Sequence, residues 1–258
     1  MEECGLPTRF PECAARIDQR FSDTMAPSST TQQVGILGGS FDPVHNGHLG
    51  LARQALATFG LDRVVFVPAD IPPHKRHQTL TSTHHRLEML RRAIAGDANL
   101  VLSEIEIERG GVSYTLDTVR ALQSQWPDAE LSLIMGADTF QDIDSWKQFA
   151  DVLRASHILV ASRPGRSLDE TVNDVEALMT HLPFSYQPDH TDSTKRVYRC
   201  HETGRHIALF PIPPKAVSST QIRDALQRGE AAKKVLPPEV EGYIIAHRLY
   251  QTHPHPMS

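Results

Sequence analysis

Cysteine, long apolar runs and excess positive charge are all scarce in this chain of 258 residues. The three cysteines, Cys4, Cys13 and Cys200, form no CxxC pair, and their odd number favours a reducing compartment. No apolar run is long enough to span a bilayer, and no signal-peptide core follows Met1. A formal net charge of −5 argues against general binding to nucleic acid or acidic membranes. We therefore expect a cytoplasmic protein with neither a membrane nor a nucleic-acid partner.

The composition is that of a globular domain, being 40% hydrophobic and 22% charged. Residues 1–33 have no sustained periodicity and end in a Pro/Ser/Thr/Gln-rich patch, which predicts a disordered N-terminal extension without a chemical role. We expect a single domain over residues 34–250, because a chain of this length can bury one substantial core. Residues 251–258 form a tail, and the polar segment 184–205 is predicted to be an exposed insertion or long loop.

Short apolar runs alternate with helical patterns from Val34 onward. The predicted strands are 34–37, 63–68, 100–107, 131–136, 157–165 and 206–212. The predicted helices are 46–59, 85–96, 115–125, 145–153, 168–181, 219–228 and 237–249. Because strands that alternate with crossover helices form parallel sheets covered on both faces, we predict an α/β fold with a doubly wound parallel sheet. Ligands of such sheets bind beyond the carboxyl ends of the strands.

The segment GGSFDPVHNGHL follows the first predicted strand and opens the first predicted helix. Gly38 and Gly39 allow backbone amides to approach a ligand closely, and Asn46 is predicted to be the helix N-cap. His45 and His48 would then lie near the unpaired amides of the first helical turn, where anions bind. Imidazoles at that position can donate hydrogen bonds to oxygens that gain charge. The pattern favours a phosphate site.

A metal site is the main alternative for this histidine pair, although most of the 14 histidines must be ordinary surface or core residues. Histidines three residues apart can share a metal ion, but a hydrolytic site needs a third protein ligand and a carboxylate base. Asp42 is the one nearby carboxylate, and no clear metal pattern accompanies it. We therefore predict no protein-held metal. The segment also lacks the GK[ST] ending of a P-loop.

The same segment resembles the GGTFDPxHxGH signature of nucleotidyltransferases with a modified dinucleotide-binding fold, with Ser40 in place of the commoner threonine. Further matches occur in the same order as in bacterial nicotinate-mononucleotide adenylyltransferases: VPADIPPHK, HRLEML, GVSYTLDT, IMGADTFQDIDSW, ASRPG, VSSTQIRDAL and LPPEVEGYI. Together they cover the chain from about residue 34 to 250. The resemblance implies a Rossmann-like fold with C-terminal helices. It also implies transfer of the adenylyl group of ATP to nicotinate mononucleotide, with release of pyrophosphate.

The resemblance further implies a set of ATP-binding residues. These are Gly38, Gly39, Ser40, Phe41, His45, His48, Lys75, Gly136, Asp138, Ser219, Thr220 and Arg223. Among them, His45, His48 and Arg223 are implied to be catalytic, because adenylyl transfer depends mostly on positioning and charge neutralisation. Neither histidine needs to be a nucleophile. Magnesium is expected to arrive with ATP, since this ion keeps its waters and bridges phosphate oxygens.

Several of these residues also have ordinary structural explanations. Ser219 is predicted to cap a helix, with Arg223 one turn later, which gives either a second phosphate cradle or a capped helix with a solvated arginine. Lys75 follows two prolines, and it either covers the triphosphate or is a surface lysine. Asp138 follows a strand, and it either accepts hydrogen bonds from ribose hydroxyls or caps the next helix.

Three residues are implied to bind the mononucleotide: Thr115, Trp146 and Arg163. In the family, the tryptophan at this position stacks on the pyridine ring, whereas a tryptophan taken alone is most often part of a core. Thr115 is predicted to cap a helix, and the resemblance adds that backbone near it faces the nicotinate carboxylate. Arg163 either neutralises a phosphate or terminates its strand.

Two other functions remain open on the sequence. A sister transferase would use pantetheine phosphate or the amide mononucleotide, and SYTLDT together with the GAD-to-Trp spacing argues against pantetheine. A nucleotide-sensing module would have kept the fold and lost the chemistry, but the intact His45, His48 and Arg223 argue against it. We expect ATP and the acid mononucleotide to be the partners.

Overall fold

The computed structural model describes residues 31–73, 79–163, 165–212, 217–230, 232 and 234–251. The chain begins with β1 (Gln33–Gly39), α1 (Asn46–Phe59), β2 (Arg63–Pro68), α2 (Thr83–Ile94), β3 (Leu100–Leu102), α3 (Ile105–Arg109) and α4 (Thr115–Gln125). It continues with β4 (Glu130–Gly136), α5 (Ala137–Gln141), a 3-10 turn (Ile143–Ser145), α6 (Phe149–Ala155), β5 (His157–Ala161) and α7 (Leu168–Met179). It ends with β6 (Gln187–Thr191), β7 (Arg196–Arg199), β8 (His206–Phe210), α8 (Ser219–Gln227) and α9 (Pro238–Ala246).

The strands of the described residues form one eight-stranded sheet in the order β3-β2-β1-β4-β5-β8-β7-β6. The six strands from β3 to β8 pair in parallel, and β7 and β6 continue the sheet antiparallel. The order of the strands reverses between β1 and β4, where Gln33 pairs with Glu130. At such a switch point the carboxyl ends of the strands open a crevice. The prediction of an α/β fold with a mostly parallel, Rossmann-like sheet is confirmed.

Apolar side chains cover both faces of the sheet, which explains the near-continuous apolar runs of its central strands. One layer contains Leu122 of α4 and Val175 of α7, and the other contains Ala52 of α1. Along β4, Leu133 packs into the first layer and Ile134 into the second. No helix within the described residues is long and apolar enough to cross a membrane.

The predicted strand 100–107 is wrong in its second half, because β3 ends at Leu102 and α3 begins at Ile105. The sequence IEIER alternates like a strand, yet the buried residue of α3 is Glu106. The predicted helix 145–153 is also interrupted, since the 3-10 turn ends before Trp146 and α6 begins at residue 149. Gln148, with a φ of 54°, has the left-handed backbone that separates the two pieces.

The sequence predicts an exposed insertion or a long loop over residues 184–205. In the structure this segment contains the hairpin of β6 and β7, which extends the edge of the sheet. Its polar composition hides this pairing, because β6 is exposed along its whole length and only Tyr198 of β7 is buried. Of the predicted N-terminal extension, residues 1–30 lie outside the described residues, and so do residues 252–258 of the predicted tail.

Candidate active site

The loop between β1 and α1 and the first turn of α1 hold the two histidines at the carboxyl end of β1. His45, with φ −146° and ψ 170°, is the N-cap of α1, so the prediction of Asn46 as the cap is wrong. The N–H of Asn46, the first helical residue, donates to the carbonyl of Val235 at 2.9 Å. Nδ1 of His48 accepts a hydrogen bond from the backbone N–H of His45 at 3.3 Å. The two imidazoles stack, with ring centroids 3.7 Å apart.

Burial decides the protonation of His45. Its side chain is 5% exposed, and burial lowers its pKa to about 4, so the ring is neutral at pH 7. Within the described residues its Nδ1 makes no hydrogen bond. Because Nδ1 of His48 accepts a bond, the neutral His48 ring carries its proton on Nε2. A buried polar atom that lacks a protein partner is suited to a polar ligand.

Two glycines at the ends of this loop, in β1 and α1, lie close to neighbouring rings. A Cβ built at Gly47 would lie 2.9 Å from Nδ1 of His45. A Cβ at Gly39 would lie 3.2 Å from the ring of Phe41, which is buried and has a φ of 48°. At Gly38, by contrast, a Cβ would meet no described atom within 4 Å, so the backbone there is open to a ligand.

The start of α8 lies against the same loop. Ser218 rather than Ser219 is its N-cap, and the Ser218 hydroxyl accepts the N–H of Gln221 at 3.2 Å. The hydroxyl of Ser219 instead donates to the carbonyl of Pro43 at 2.9 Å. The structure therefore joins the C-terminal part of the chain to the loop that carries the histidines.

Arg223 makes a second link between α8 and the loop. Its guanidinium donates to the carbonyl of Asp42 at 2.7 Å and to the hydroxyl of Thr220 at 3.3 Å. The buried carboxylate of Asp42 accepts the hydroxyl of Tyr250 at 2.6 Å and the N–H of Thr81 at 3.0 Å. Asp42 thus connects the loop to α8 and to the segment that follows α9.

Arg86 is a structural residue of the site that sequence reasoning missed. The side chain is 1% exposed, and its guanidinium donates to the carbonyls of Ser40 at 2.9 Å, Ala69 at 2.8 Å and Thr81 at 3.1 Å. Burial lowers its pKa, and the nearby negative charges of Asp42 and Asp70 oppose that shift. A charged residue on an amphipathic helix ordinarily faces solvent, so the helical pattern does not predict this role, although Arg86 lies in the matched segment HRLEML.

On the other side of the site, Thr115 and Trp146 lie on segments that contact each other. Tyr114 is the N-cap of α4 and Thr115 its first residue, so the prediction of Thr115 as the cap is off by one. Trp146 is half-buried and packs against the core layer that includes α4. Nζ of Lys147 lies 4.0 Å from the centre of the Tyr114 ring, a cation–π distance that joins the two segments.

Asp138 and Arg163 come together across the ends of β4 and β5. Gly136 is the N-cap of α5, which leaves Asp138 exposed in the first turn of that helix. The guanidinium of Arg163 bonds to the carboxylate of Asp138 and, at 2.7 Å, to Oε1 of Gln141. Lys75 lies outside the described residues. In the part of the chain that the structure describes, no three His, Cys, Asp or Glu side chains gather as metal ligands would.

Comparison with known proteins places this site in context. Residues 36–225 match the cytidylyltransferase-like family. A protein of Pelobacter propionicus named as a probable nicotinate-nucleotide adenylyltransferase is 35% identical over 226 residues, 86% of this chain and 100% of the relative. A protein of Citrifermentans bemidjiense with the same name is 38% identical over 220 residues, 84% of this chain and 98% of the relative.

Solved structures share the fold. The nicotinic acid mononucleotide adenylyltransferase of Plasmodium falciparum, complexed with NaAD, superimposes with a TM-score of 0.64 at 20% identity, covering 85% of this chain and 97% of that one. At that level of identity the likeness concerns the fold, including the arrangement of strand ends at which the two histidines lie.

Proposed function

This chain belongs to the cytidylyltransferase-like family and, within it, to the nicotinate-nucleotide adenylyltransferases, and on that premise we propose how its residues carry out the reaction. The enzyme transfers the adenylyl group of ATP to nicotinate mononucleotide and releases pyrophosphate, a step of NAD biosynthesis. A phosphate oxygen of the mononucleotide attacks the α-phosphorus of ATP. The bond from that phosphorus to the oxygen that bridges the α- and β-phosphates breaks, and this oxygen leaves with the pyrophosphate.

The observation that carries the proposal is the stacked pair of imidazoles at the N-terminus of α1. Nε2 of neutral His48 donates to an α-phosphate oxygen, where negative charge develops in the transition state. His45 remains neutral at pH 7 because it is buried, so it acts through a hydrogen bond and not through a positive charge. Gly38 and Gly39 bring backbone N–H groups to the same phosphates.

The β- and γ-phosphates are assigned to the start of α8. Arg223 supplies the positive charge, and its bond to the Asp42 carbonyl holds it beside the histidine loop. The hydroxyl of Thr220 and the backbone of Ser219 complete this cradle. Asp138 binds the adenosine ribose. Arg163, which pairs with Asp138, is assigned to the phosphate of the mononucleotide. Lys75 is assigned to the triphosphate because the segment VPADIPPHK resembles the corresponding segment of the family.

The acceptor pocket is assigned to the contact between the start of α4 and the Trp146 segment. The indole of Trp146 stacks on the pyridine ring, while backbone N–H groups near Thr115 receive the nicotinate carboxylate. An N-terminal helical turn favours a negative group over a neutral amide. This difference supports the acid mononucleotide as the preferred substrate.

A divalent metal fits this chemistry as part of the ATP substrate. Magnesium bridges phosphate oxygens and keeps most of its waters, so it needs no dedicated cage of protein ligands. Carried in with ATP, it would supply positive charge for the leaving pyrophosphate. The residues named above then act on the phosphate oxygens that the ion leaves accessible.

Pyrophosphate release tests the proposal directly. The purified chain is supplied with MgATP and either nicotinate mononucleotide or nicotinamide mononucleotide, and kcat/KM is measured for each acceptor. We expect a preference for the acid of at least tenfold. Equal values for both acceptors would overturn the substrate assignment. Tight ATP binding without pyrophosphate release from either acceptor would support a catalytically silent nucleotide-binding module instead.

A further inference from the structure

A buried carboxylate lies behind the loop that leads into α4. Glu106 of α3 is 7% exposed, although glutamate is almost never this buried without partners. Its Oε1 accepts the hydroxyl of Thr118 at 2.5 Å, and the side chain of Ser113 lies beside the same carboxylate and favours its charged form. Arg109, at the end of the same helix, donates to the Thr118 hydroxyl at 3.1 Å. Of these neighbours of Glu106, Ser113 precedes the first residue of α4 and Thr118 follows it.

Residues that follow β2 also form hydrogen bonds to the loop before α4. The N–H of Asp70 donates to the Ser113 hydroxyl at 3.1 Å, and the carboxylate of Asp70 accepts the N–H of Gly111 at 2.9 Å. The backbone of Ile71 pairs with Gly111 and Ser113, at 3.3 and 3.0 Å. Ser113 is therefore the point at which both sets of contacts meet, and it lies two residues before Thr115.

We propose that Glu106 is a positioning residue that fixes the first turn of α4 and thereby sets the preference for an acid over an amide acceptor. The inference rests on the proposed function of that turn. Glu106 does not touch the substrate. It acts through Ser113 and Thr118, whose hydroxyls bracket the four residues that contain the carboxylate-binding backbone.

Energetics favour this role over a simple packing contribution. Burial raises the pKa of Glu106, so the fold places a carboxyl group where its charged form is poorly solvated. An apolar side chain would fill this position without that penalty, but it would remove the short bond from the Thr118 hydroxyl and leave that hydroxyl only the Tyr114 carbonyl at 3.3 Å. Backbone N–H groups that bind a carboxylate must be held to within about 0.5 Å, which is what a network of this kind supplies.

The test compares three variants in the pyrophosphate assay. Glu106→Ala should raise KM for nicotinate mononucleotide about tenfold and reduce the acid-to-amide ratio of kcat/KM by a similar factor, with KM for ATP unchanged. Glu106→Gln keeps an acceptor for Thr118 and should recover most of the ratio. Glu108→Ala removes an exposed carboxylate from the same helix and should behave as wild type.

Hydrogen exchange gives a readout that does not depend on activity. In Glu106→Ala, amides of residues 113–118 should exchange at least tenfold faster, while those of the first turn of α1 stay unchanged. If the alanine variant does not fold, Ser113→Ala removes one donor only and should show the same pattern at about threefold. An unchanged acid-to-amide ratio in a folded variant would overturn the inference. A wild type that is inactive with both acceptors would instead refute the proposed function, and unchanged exchange would then refute the positioning role separately.

Discussion

At the scale of single residues, the site depends on how little room surrounds His45. Its ring is buried, stacked on His48 and bounded by Gly47. A rigid ring in a dense environment cannot shift without disturbing its neighbours. Small changes at these three positions should therefore have large effects on rate.

Gly47→Ala should lower kcat more than tenfold. The added Cβ would lie 2.9 Å from Nδ1 of His45, and overpacking of this kind costs about 1–3 kcal/mol. Gly50→Ala is the matched control on the same helix, because a Cβ there meets no described atom within 4 Å. Steady-state kinetics and melting temperature of both variants are compared. A fully active Gly47→Ala enzyme would show that the His45 ring does not need its observed position.

His48→Ala should reduce kcat more than it weakens ATP binding, because its Nε2 is assigned to charge that develops only in the transition state. Loss of one preorganised donor costs about 3–4 kcal/mol, or two to three decades in rate. Turnover is compared with the Kd for MgATP from calorimetry, and His181→Ala at an exposed position serves as control. Near-normal kcat would assign His48 a structural role.

At the scale of secondary-structure elements, the proposed acceptor pocket includes a break in the helical pattern. The 3-10 turn ends at Ser145, and the chain is extended at Trp146, with φ −74° and ψ 141°. The cation–π contact of Lys147 with Tyr114 then ties this break to the start of α4. A continuous helix would orient Trp146 differently, so the proposed role of Trp146 requires this interruption.

Trp146→Ala should raise KM for the mononucleotide about tenfold and leave KM for ATP nearly unchanged. Stacking of an aromatic side chain on a flat heterocycle is worth about 1–3 kcal/mol by alanine substitution. Arg223→Ala should show the opposite pattern, because its assigned partner is the triphosphate. Trp126→Ala is the control, since this second tryptophan packs against the same core layer. An unchanged mononucleotide KM in Trp146→Ala would make that residue purely a core residue.

The sequence predicts elements well where a single periodicity decides them. β2 over residues 63–68 and α4 over 115–125 have the predicted bounds, because each shows one uninterrupted pattern. It fails at α3, where the alternation of IEIER conceals a buried Glu106. Burial of a charged side chain depends on partners distant in the chain, such as Thr118, and no local pattern encodes them.

The same limit applies to the site. The resemblance supplies its residue types, but not the cap of α1 by His45 or the links of Arg86 to the carbonyls of Ser40 and Ala69. These contacts arise only when β1, β2 and α2 are assembled. Local sequence therefore gives the chemistry of the site, while tertiary contacts give its rigidity.

At the scale of the whole molecule, the catalytic unit is proposed to be residues 34–250. The family match begins at residue 36, and contacts such as Tyr250 with Asp42 close the domain at its C-terminal end. Deletion of residues 1–30 should therefore leave kcat/KM and the melting temperature nearly unchanged. Assay and thermal melts of the shortened chain check this. An inactive or insoluble product would assign the N-terminal segment a role in the domain.

A second feature of the whole molecule lies at the amino ends of the strands, on the opposite side of the sheet from the carboxyl ends at which the histidine pair lies. The first residues of β4, β5 and β8 are Glu130, His157 and His206, and the two histidine rings stack with centroids 3.9 Å apart. His157 bonds to Glu130 at 3.0 Å, and Arg205 also pairs with that carboxylate. This cluster joins three strands, so its protonation affects the stability of the entire fold.

Stability should fall as the pH drops from 7 to 5, in part because of His206. Burial lowers the pKa of this histidine to about 3, with charge repulsion from His157 and Arg199 contributing, while Asp189 and Glu130 oppose the shift. The folded state therefore keeps the ring neutral, whereas the unfolded chain binds a proton below its ordinary pKa of about 6.5. The contribution of His206 to the free energy of unfolding is fully present above about pH 6.5. It is lost progressively as the pH falls toward 3.

His206→Phe should reduce the loss of stability between pH 7 and pH 5, because the variant keeps a ring for stacking and cannot take up the proton. The expected reduction is about 2 kcal/mol, the free energy of protonating one unfolded histidine at pH 5. Urea unfolding at the two pH values measures it. His201→Gln, at an exposed position, should retain the wild-type dependence on pH. If His206→Phe also retained it, the folded protein would tolerate a protonated His206, and the acid sensitivity would have to come from other groups.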